Sequence, residues 1–501
     1  MRKDMNHKKT FLPAHPAGLP STLLVLVLTA TAGQAQTFDG GHSYAVSSQV
    51  NKGPESIESA DLDEDGNPDL VTADNGFLTL FFGDENGEFS RKATRVTRLG
   101  NATDEAVFDN NTYAALADST NDGHVDIFVA NLIDPFTSIQ IYPNSPLGSF
   151  VSAPTKIDEG LGTDPNAVRV AQLNPLNDHY PDLAVVSFRD PRVQVYLGNG
   201  SGGFVASFET NLVSQSSVGQ NLDIGDFNED GFNDIAVADR LRVWVFFGDG
   251  LGNFPTSDSR ITDFAAGAHR EWDVLMRDMD GDKHLDLVVS NGGRLDLSST
   301  QSSVVVIYGD GTGSLSGDVK AIDVGSQTAK LTVDDFDNDG NLDIVAARPK
   351  FSSDNGGLAY SRGLGNREFV FDATIGLPAQ GRGTLAVTSG DFDGNGRPDL
   401  ALANEGAFPS IGDAVPGNVV VYLNTLPPIP TRTPTLTPTY IPTATRTSTP
   451  KPTATRTRTS TPSPTGTVTP TPGPGDVNED GSIDANDLII LLEQQGNVAP
   501  P

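Results

Sequence analysis

The chain of 501 residues contains no cysteine. Disulfide bonds therefore cannot stabilise its fold, and thiol chemistry is not available to it. Basic residues are also scarce, because 33 Lys and Arg face 65 Asp and Glu, which gives a formal net charge of -32. Since nucleic-acid phosphates bind to basic surfaces, this balance argues against a nucleic-acid partner.

Long apolar runs are equally rare, and the one that stands out lies at residues 23–32. It is shorter than the roughly 20 residues that a transmembrane helix needs. Basic residues precede it within 2–9, and the small residues Gly33 and Ala35 follow it. This order is typical of a secretory signal peptide over 1–35, with an uncleaved anchor as the alternative. We expect a mature chain that begins near Gln36, has no membrane span, and is secreted to the extracellular space or the cell surface.

An acidic phrase recurs along most of the chain. Its first clear copy is DLDEDGNPDL at residues 61–70, and the starts of its seven copies are 52 to 57 residues apart. A steady period of this length predicts a propeller or a solenoid. The copies begin at Asp61, Asp118, Asn174, Asp226, Asp278, Asp335 and Asp391.

Each repeat has the composition of about four β-strands. An apolar, β-branched run follows the acidic loop, as at 235–238, and a second run such as 243–247 comes next. A glycine-rich turn ends the second run, a third strand starts near an aromatic residue such as Phe254, and a fourth leads into the next loop. Four strands per repeat match a propeller blade. We predict an all-β fold, a seven-bladed β-propeller of four-stranded blades over 36–426.

The two ends of this region predict how the ring closes. Residues 38–46 look like the outer part of a blade, and residues 418–423 look like an inner part that lacks its outer strands. Together the two segments would complete one blade, which removes a free sheet edge.

The order of loop, strand and turn resembles the FG-GAP (or VCBS) repeat of integrin α-subunit propellers. Phe82-Gly83 and Phe247-Gly248 match the first half of the family's name, and the Gly-Ala-Pro half has no counterpart here. The resemblance implies that each calcium loop connects two neighbouring strands of a blade on one face of the ring. It also implies that the opposite face and the side loops engage partners.

The acidic loops have the ligand chemistry of calcium sites. Calcium takes six to eight oxygen ligands from flexible loops that turn at a glycine. We predict side-chain oxygens at positions one, three, five and nine of each loop and a backbone carbonyl at position seven. The best four loops are Asp61, Asp63, Asp65, Asn67 and Asp69; Asp226, Asn228, Asp230, Phe232 and Asp234; Asp335, Asp337, Asp339, Asn341 and Asp343; and Asp391, Asp393, Asn395, Arg397 and Asp399.

The other three loops depart from this pattern. The third loop, 174–182, has lost two ligands and its glycine, so we predict that it binds no metal and that Leu176 packs the turn. The second loop has a hydroxyl at position three, a weaker ligand than a carboxylate, and the fifth has its glycine earlier. Binding is predicted for both: Asp118, Thr120, Asp122, His124 and Asp126 in the second, and Asp278, Asp280, Asp282, His284 and Asp286 in the fifth.

A plain acidic turn is the alternative for any single loop, because Asp, Asn and Gly favour turns without a metal. Six copies at matched spacing favour calcium instead.

Two further segments follow the repeats. Residues 427–472 consist almost entirely of Thr, Pro, Ser and Arg, which predicts an extended linker that is open to O-glycosylation. Residues 473–501 resemble one half of a dockerin, a calcium loop followed by an amphipathic helix, although dockerins carry two such units. The resemblance implies a cohesin-like or cell-surface anchor. The implied ligands are Asp476, Asn478, Asp480, Ser482, Asp484 and Asp487.

Sequence motifs of catalysis are missing. The chain has no His-Glu-x-x-His, Gly-x-Ser-x-Gly or phosphate-loop motif, and the GxGxxG match at 198–203 coincides with a turn between strands. We therefore expect a monomeric, non-enzymatic adhesion or interaction module whose partner is an extracellular protein or glycan. The alternatives are a lectin, with Trp244, Trp272 or Tyr360 stacking on sugars, and a polysaccharide hydrolase or lyase.

Overall fold

The computed structural model describes much of the chain between residues 38 and 426. All of these residues belong to one compact unit within Met1–Thr431. The predicted signal peptide, Thr/Pro-rich linker and dockerin-like tail lie outside the described residues. The described ranges are 38–50, 53–74, 77–90, 113–131, 138–145, 148–150, 154–157, 165–187, 192–212, 219–239, 242–261, 271–291, 303–324, 328–349, 357–371, 383–406 and 416–426.

The described residues form 28 strands, which pair as seven sheets of four strands each. Valine, isoleucine and aromatic residues fill the strand centres, as in the SVVVI strand Ser303–Ile307, because they pack well on a pleated, buried surface. Across the described ranges no helix is long and apolar enough to cross a membrane. The prediction of an all-β, seven-bladed propeller is confirmed.

Blades 1 to 4 each take four consecutive strands after β1 (His42–Val50). Their strands are β2 (Pro54–Ala60), β3 (Asp69–Asp74), β4 (Phe77–Gly83) and β5 (Phe89–Ser90); β6 (Tyr113–Ala117), β7 (Asp126–Asn131), β8 (Ser138–Tyr142) and β9 (Thr155–Ile157); β10 (Pro165–Ala171), β11 (Asp182–Ser187), β12 (Arg192–Gly198) and β13 (Phe204–Asn211); and β14 (Gly219–Gly225), β15 (Asp234–Asp239), β16 (Arg242–Phe247) and β17 (Thr256–Ile261).

Blades 5 and 6 follow the same order, and the last three strands belong to blade 7. These strands are β18 (Glu271–Arg277), β19 (Asp286–Asn291), β20 (Ser303–Ile307) and β21 (Val319–Asp323); β22 (Leu331–Asp334), β23 (Asp343–Arg348), β24 (Gly357–Gly363) and β25 (Phe369–Phe371); and β26 (Thr384–Gly390), β27 (Asp399–Asn404) and β28 (Pro416–Tyr422).

The N-terminal strand completes blade 7. β1 pairs with β28 in antiparallel register, with His42 opposite Val421 and Ala45 opposite Asn418. The fourth strand of this blade therefore comes from the other end of the propeller, as the sequence predicted. The seven first strands contact one another in an unbroken ring, from β2 through β6, β10, β14, β18 and β22 to β26 and back to β2.

The core lies between adjacent blades. All six residues of β15 are buried, and its side chains alternate between two neighbours because successive strand residues point to opposite sheet faces. Ile235 and Val237 pack in a cluster with strands of blade 3, whereas Ala236 and Ala238 pack with strands of blade 5. Each blade is thus held from both sides, and the ring forms one continuous apolar layer.

The acidic loops all occupy the same place in the topology. Each joins the first strand of its blade to the second, as at Ala60 and Asp69, which pair across the ends of β2 and β3. The equivalent pair in blade 4 is Gly225 and Asp234. Because every blade repeats this connection, the seven loops emerge at the same edge of the seven sheets.

Candidate metal centre

The backbone follows one path in six of the seven loops, the third being the exception. Positions four and six adopt the left-handed conformation, with φ of 61° at Glu64 and 92° at Gly66 in the first loop. The fifth loop has its glycine at position four and places Lys283 at position six with φ of 78°. The fifth loop therefore keeps the same backbone path, but its non-glycine residue in the strained left-handed conformation is at position six instead of position four.

Carboxylates at position one organise this path. Asp61 accepts hydrogen bonds from the N–H groups of Asp65 (3.2 Å) and Gly66 (2.9 Å). Asp335 accepts the equivalent bonds from Asp339 (3.0 Å) and Gly340 (2.9 Å). These bonds curl the loop around its own acidic side chains, which is the arrangement that a cation requires.

Four loops bring three carboxylates together. In each of them the three side chains offer oxygen atoms that lie within 4.8 Å of one another. The first and seventh loops use positions one, three and nine, and the fifth and sixth use positions one, three and five. The clusters are Asp61, Asp63 and Asp69; Asp278, Asp280 and Asp282; Asp335, Asp337 and Asp339; and Asp391, Asp393 and Asp399.

The second and fourth loops carry neutral residues, Thr120 and Asn228, at position three, and they are not among these carboxylate clusters. Thr120 nevertheless buries its hydroxyl oxygen without a hydrogen-bond partner. In the seventh loop, Oδ1 of Asp391 is likewise buried and has no hydrogen-bond partner. Buried oxygens that lack a donor are costly, and a bound cation would satisfy both. The residues at these positions fit a metal ion.

Position nine has a second role that the sequence interpretation missed. The position-nine aspartate is fully buried in all seven loops. In the first loop, Asp69 accepts the N–H of Leu62 at 2.7 Å and the N–H of Gly83 at 2.8 Å. It therefore ties its loop to the turn after the third strand. The other six clamps are Asp126, Asp182, Asp234, Asp286, Asp343 and Asp399.

Burial changes the acidity of these clamps. Desolvation raises the pKa of Asp69, Asp234 and Asp399 to about 7, although backbone N–H donors oppose it. A cation held against such a carboxylate favours its ionised form. In the sixth loop, burial also raises the pKa of Asp343 to about 7, and the Tyr360 hydroxyl donates to it at 2.7 Å.

The third loop differs as its sequence suggests. Asn174 donates its side-chain N–H to Asp178 at 3.1 Å, and the loop contributes none of the carboxylate clusters found in the described ranges. The prediction that Leu176 packs the turn is wrong, because this side chain is 61% exposed. Its backbone N–H bonds to the carbonyl of Gly250 instead, at 3.1 Å. The absence of metal at this loop stays a prediction.

The two histidines at position seven point out of their loops, whereas the side chains of Asn67 and Asn341 bond to Asp65 and Asp339 within theirs. His124 contacts Glu64 of the preceding loop, and His284 contacts Glu229 in the same way. In both pairs the glutamate raises the pKa of the imidazole. Because the two histidines face neighbouring loops, only the backbone carbonyl of position seven remains for a metal within their own loops.

Two of the aromatic residues considered for sugar stacking have described side chains. Tyr360 is buried and bonded to Asp343, so it is not available to a sugar. Trp244 is half-buried, donates Nε1–H to Asp239 at 2.7 Å and stacks on Phe246 with ring centroids 6.0 Å apart. The side chain of Trp272 lies outside the described part of the structure.

A polar cavity of about 180 Å3 lies among the first strands, around the ring axis. Three acids and three bases line it, and the sequence interpretation did not anticipate them. Lys330 lies 3.5 Å from Asp273 and 4.5 Å from the Tyr113 ring centroid. Asp273 also accepts the N–H of Leu331 in the next blade at 2.8 Å. The remaining charged lining residues are Glu58, Arg169, Asp223 and Arg277.

Comparisons with known proteins place these loops in a family. The profile of the FG-GAP-like repeat matches residues 61–129, 176–237, 226–289, 278–346 and 335–402, which is more than half of the chain. A comparison with curated proteins finds no match. A solved structure titled for specific recognition of non-reducing terminal N-acetylglucosamine by an Agrocybe aegerita lectin is similar at 19% identity and a TM-score of 0.42, over 64% of this chain and 79% of that one. A likeness of that size does not bear on function. The repeat matches cover more than half of the chain, and the chain therefore belongs to the FG-GAP-like repeat family.

Proposed function

We propose that this protein is a secreted, calcium-binding β-propeller that acts as an adhesion or interaction module for extracellular proteins or glycans. The observation that carries the proposal is the set of four loops whose three carboxylates each converge within 4.8 Å. Six to eight oxygen ligands, with carboxylates among them, are typical of calcium sites.

The donor chemistry favours calcium over other metals. The clustered donors are all oxygens, whereas zinc and copper sites usually include imidazole or thiolate ligands. Magnesium requires a tighter octahedral geometry and keeps several waters. Bound calcium would supply positive charge to the clustered carboxylates and cross-link the ends of each loop.

The architecture supports a binding role rather than catalysis. The ring is closed by β1, and each blade is packed on both sides. The loops at the edges of the seven sheets therefore form a rigid platform. Loops on a rigid scaffold are where binding residues concentrate. We propose that partners bind to this platform and that no reaction follows. The tail at 473–501 is proposed as an anchor.

Carbohydrate binding is the second candidate. Trp244 supports it, because its ring is only half-buried and so keeps part of its surface accessible. Aromatic rings of this kind can stack on the apolar face of a sugar.

A binding screen tests the proposal. The mature chain is presented to arrays of glycans, polysaccharides and matrix proteins, once in calcium and once in EDTA. A triple variant, Asp61→Asn, Asp335→Asn and Asp391→Asn, serves as the matched control, since it keeps size and removes three carboxylates. We expect calcium-dependent retention on one class of partner and its loss in the variant. Folded protein that is silent toward every class in calcium would contradict the proposed role.

A further inference from the structure

One turn residue of the propeller departs from its equivalents. In the turn after the third strand, one residue donates its backbone N–H to the position-nine aspartate. The turn position that differs lies four residues further along the chain. In five blades this residue is glycine with positive φ, and in blade 6 it is Arg367 with φ of 65°. The glycines are Gly87, Gly148, Gly202, Gly252 and Gly313.

The five glycines show which residues lie next to this turn position. A Cβ on Gly148 would lie 3.1 Å from the Cβ of Asp63, the position-three residue of the preceding blade's loop. A Cβ on Gly87 would lie 3.2 Å from the Cβ of Asp393, also at position three. The turn of each of these blades thus packs against position three of its neighbour's metal loop, and glycine keeps the approach close.

Arg367 lies equally close to the neighbouring loop, but its side chain forms ion pairs with that loop. Its Nε–H donates to Oδ2 of Asp280, position three of the fifth loop, at 2.5 Å. Its Nη2 lies 3.5 Å from Oδ2 of Asp282, position five of that loop. The guanidinium also lies 4.3 Å from the ring centroid of Tyr308. Asp280 is only 7% exposed, so the pair is shielded from water on the carboxylate side.

We propose that Arg367 is a built-in cation for the fifth loop, which competes with calcium for Asp280 and Asp282. This inference rests on the calcium binding proposed above. The competition makes the fifth loop a weaker calcium site than a loop whose neighbouring turn has glycine. An arginine in the left-handed region is strained. Its charge-assisted bond to Asp280 and its ion pairs with Asp282 and with Asp318, which lies outside the loop, offset that strain. Calcium can occupy the loop fully only when the guanidinium has left Asp280.

Calcium titration of the full mature chain by isothermal calorimetry tests this proposal. The variant Arg367→Gly restores the residue that the other blades carry, and Arg367→Gln removes the charge with less change of backbone freedom. We expect both to tighten one calcium site up to about fivefold, roughly the contribution of one ion pair. The matched control is Lys320→Gln, which removes a nearby positive charge that pairs with Glu368 at 2.7 Å rather than with a loop ligand.

A second substitution assigns the change to the fifth loop. Asp278→Asn weakens position one, and its single amide oxygen can still accept one of the two N–H groups, of Gly281 and Lys283, that the two carboxylate oxygens accept in the wild type. On this background, Arg367→Gly should no longer change the isotherm. Unchanged affinity in both Arg367 variants, or a shift that persists with Asp278→Asn, would overturn the role of Arg367 alone. A wild-type chain that binds no calcium would overturn this role and the proposed function together.

Discussion

The buried aspartate at position nine shows how one residue serves both fold and site. Its two oxygens accept N–H groups from the loop and from the turn after the third strand, as Asp182 does with Leu173 (2.8 Å) and Gly198 (2.9 Å). The third loop has lost other predicted ligands but keeps Asp182. That retention was the one sequence signal of a structural role, and it becomes clear only when the turn is seen beside the loop.

Removal of this clamp should destabilise the propeller without involving calcium. Asp182→Ala leaves two buried N–H groups without an acceptor, so we expect it to lower the free energy of unfolding by about 2 to 4 kcal/mol. Denaturant unfolding in EDTA and in calcium measures the effect. The control Asp178→Ala removes a half-buried carboxylate of the same loop, which accepts N–H groups of Asn174 and Tyr180, and it should cost less, about 1 kcal/mol. Equal losses in the two variants would contradict the clamp.

Lys330 provides a prediction about pH. Burial lowers its pKa from 10.5 to about 8, although Asp273 beside it favours the charged form. Between pH 8 and 10.5 the unfolded chain therefore holds more protons than the folded chain, and the contribution of Lys330 to stability rises with pH. We expect the Tm of the wild type, relative to Lys330→Met, to increase from pH 8 to 10. A difference that is flat or falls over this range would refute the shift.

Single residues were also where sequence interpretation failed. Leu176 was expected to pack and is exposed, and Tyr360, a stacking candidate under the lectin alternative, is buried against Asp343. Both errors have one physical cause. Leu176 lies in a turn whose backbone bonds to Gly250 of the next blade, and Tyr360 bonds to Asp343 on the neighbouring strand, 17 residues away. A local pattern contains neither contact.

At the scale of the element, the loop was predictable and its connections were not. The alternate acids and the glycine placed the loop between two strands correctly, because both its ends and its turn are encoded locally. The contact between Arg367 and Asp280 joins residues 87 apart. The charged residues that line the polar cavity likewise come from the first strands of different blades or from the residues beside them. No spacing within one repeat indicates either contact.

The loops should make the stability of the protein depend on calcium. At tenfold excess over the dissociation constant, each occupied site adds about 1.4 kcal/mol to the free energy of unfolding. We therefore expect the Tm to fall in EDTA and to recover when calcium is returned. Asp335→Asn should reduce the calcium-dependent part of the Tm, whereas Asn174→Ala in the third loop should leave it unchanged. An identical Tm in EDTA and in calcium would contradict the loops as metal sites.

At the scale of the whole molecule, ring closure depends on one strand. β1 supplies the outer strand of blade 7, and the Tyr44 hydroxyl also accepts the N–H of Phe89 in blade 1 at 3.2 Å. The sequence predicted this closure because two incomplete blades stood at the two ends of seven repeats.

Deletion of residues 36–50, which removes all of β1, should therefore open the ring. Blade 7 would lose its outer strand and expose an edge that can pair with other chains. We expect a lower Tm and concentration-dependent association, measured by calorimetry and light scattering. A chain that ends after residue 426 is the control and should stay monomeric with the Tm of the full protein. A deleted chain with unchanged Tm would show that β1 does not hold the ring.

The central claim is that the repeated loops bind calcium, and equilibrium dialysis of the full chain against radioactive calcium tests it most directly. The account predicts several bound ions per chain, with fewer in the variant that carries Asp61→Asn, Asp335→Asn and Asp391→Asn. Less than one bound ion per folded chain at millimolar calcium would contradict it.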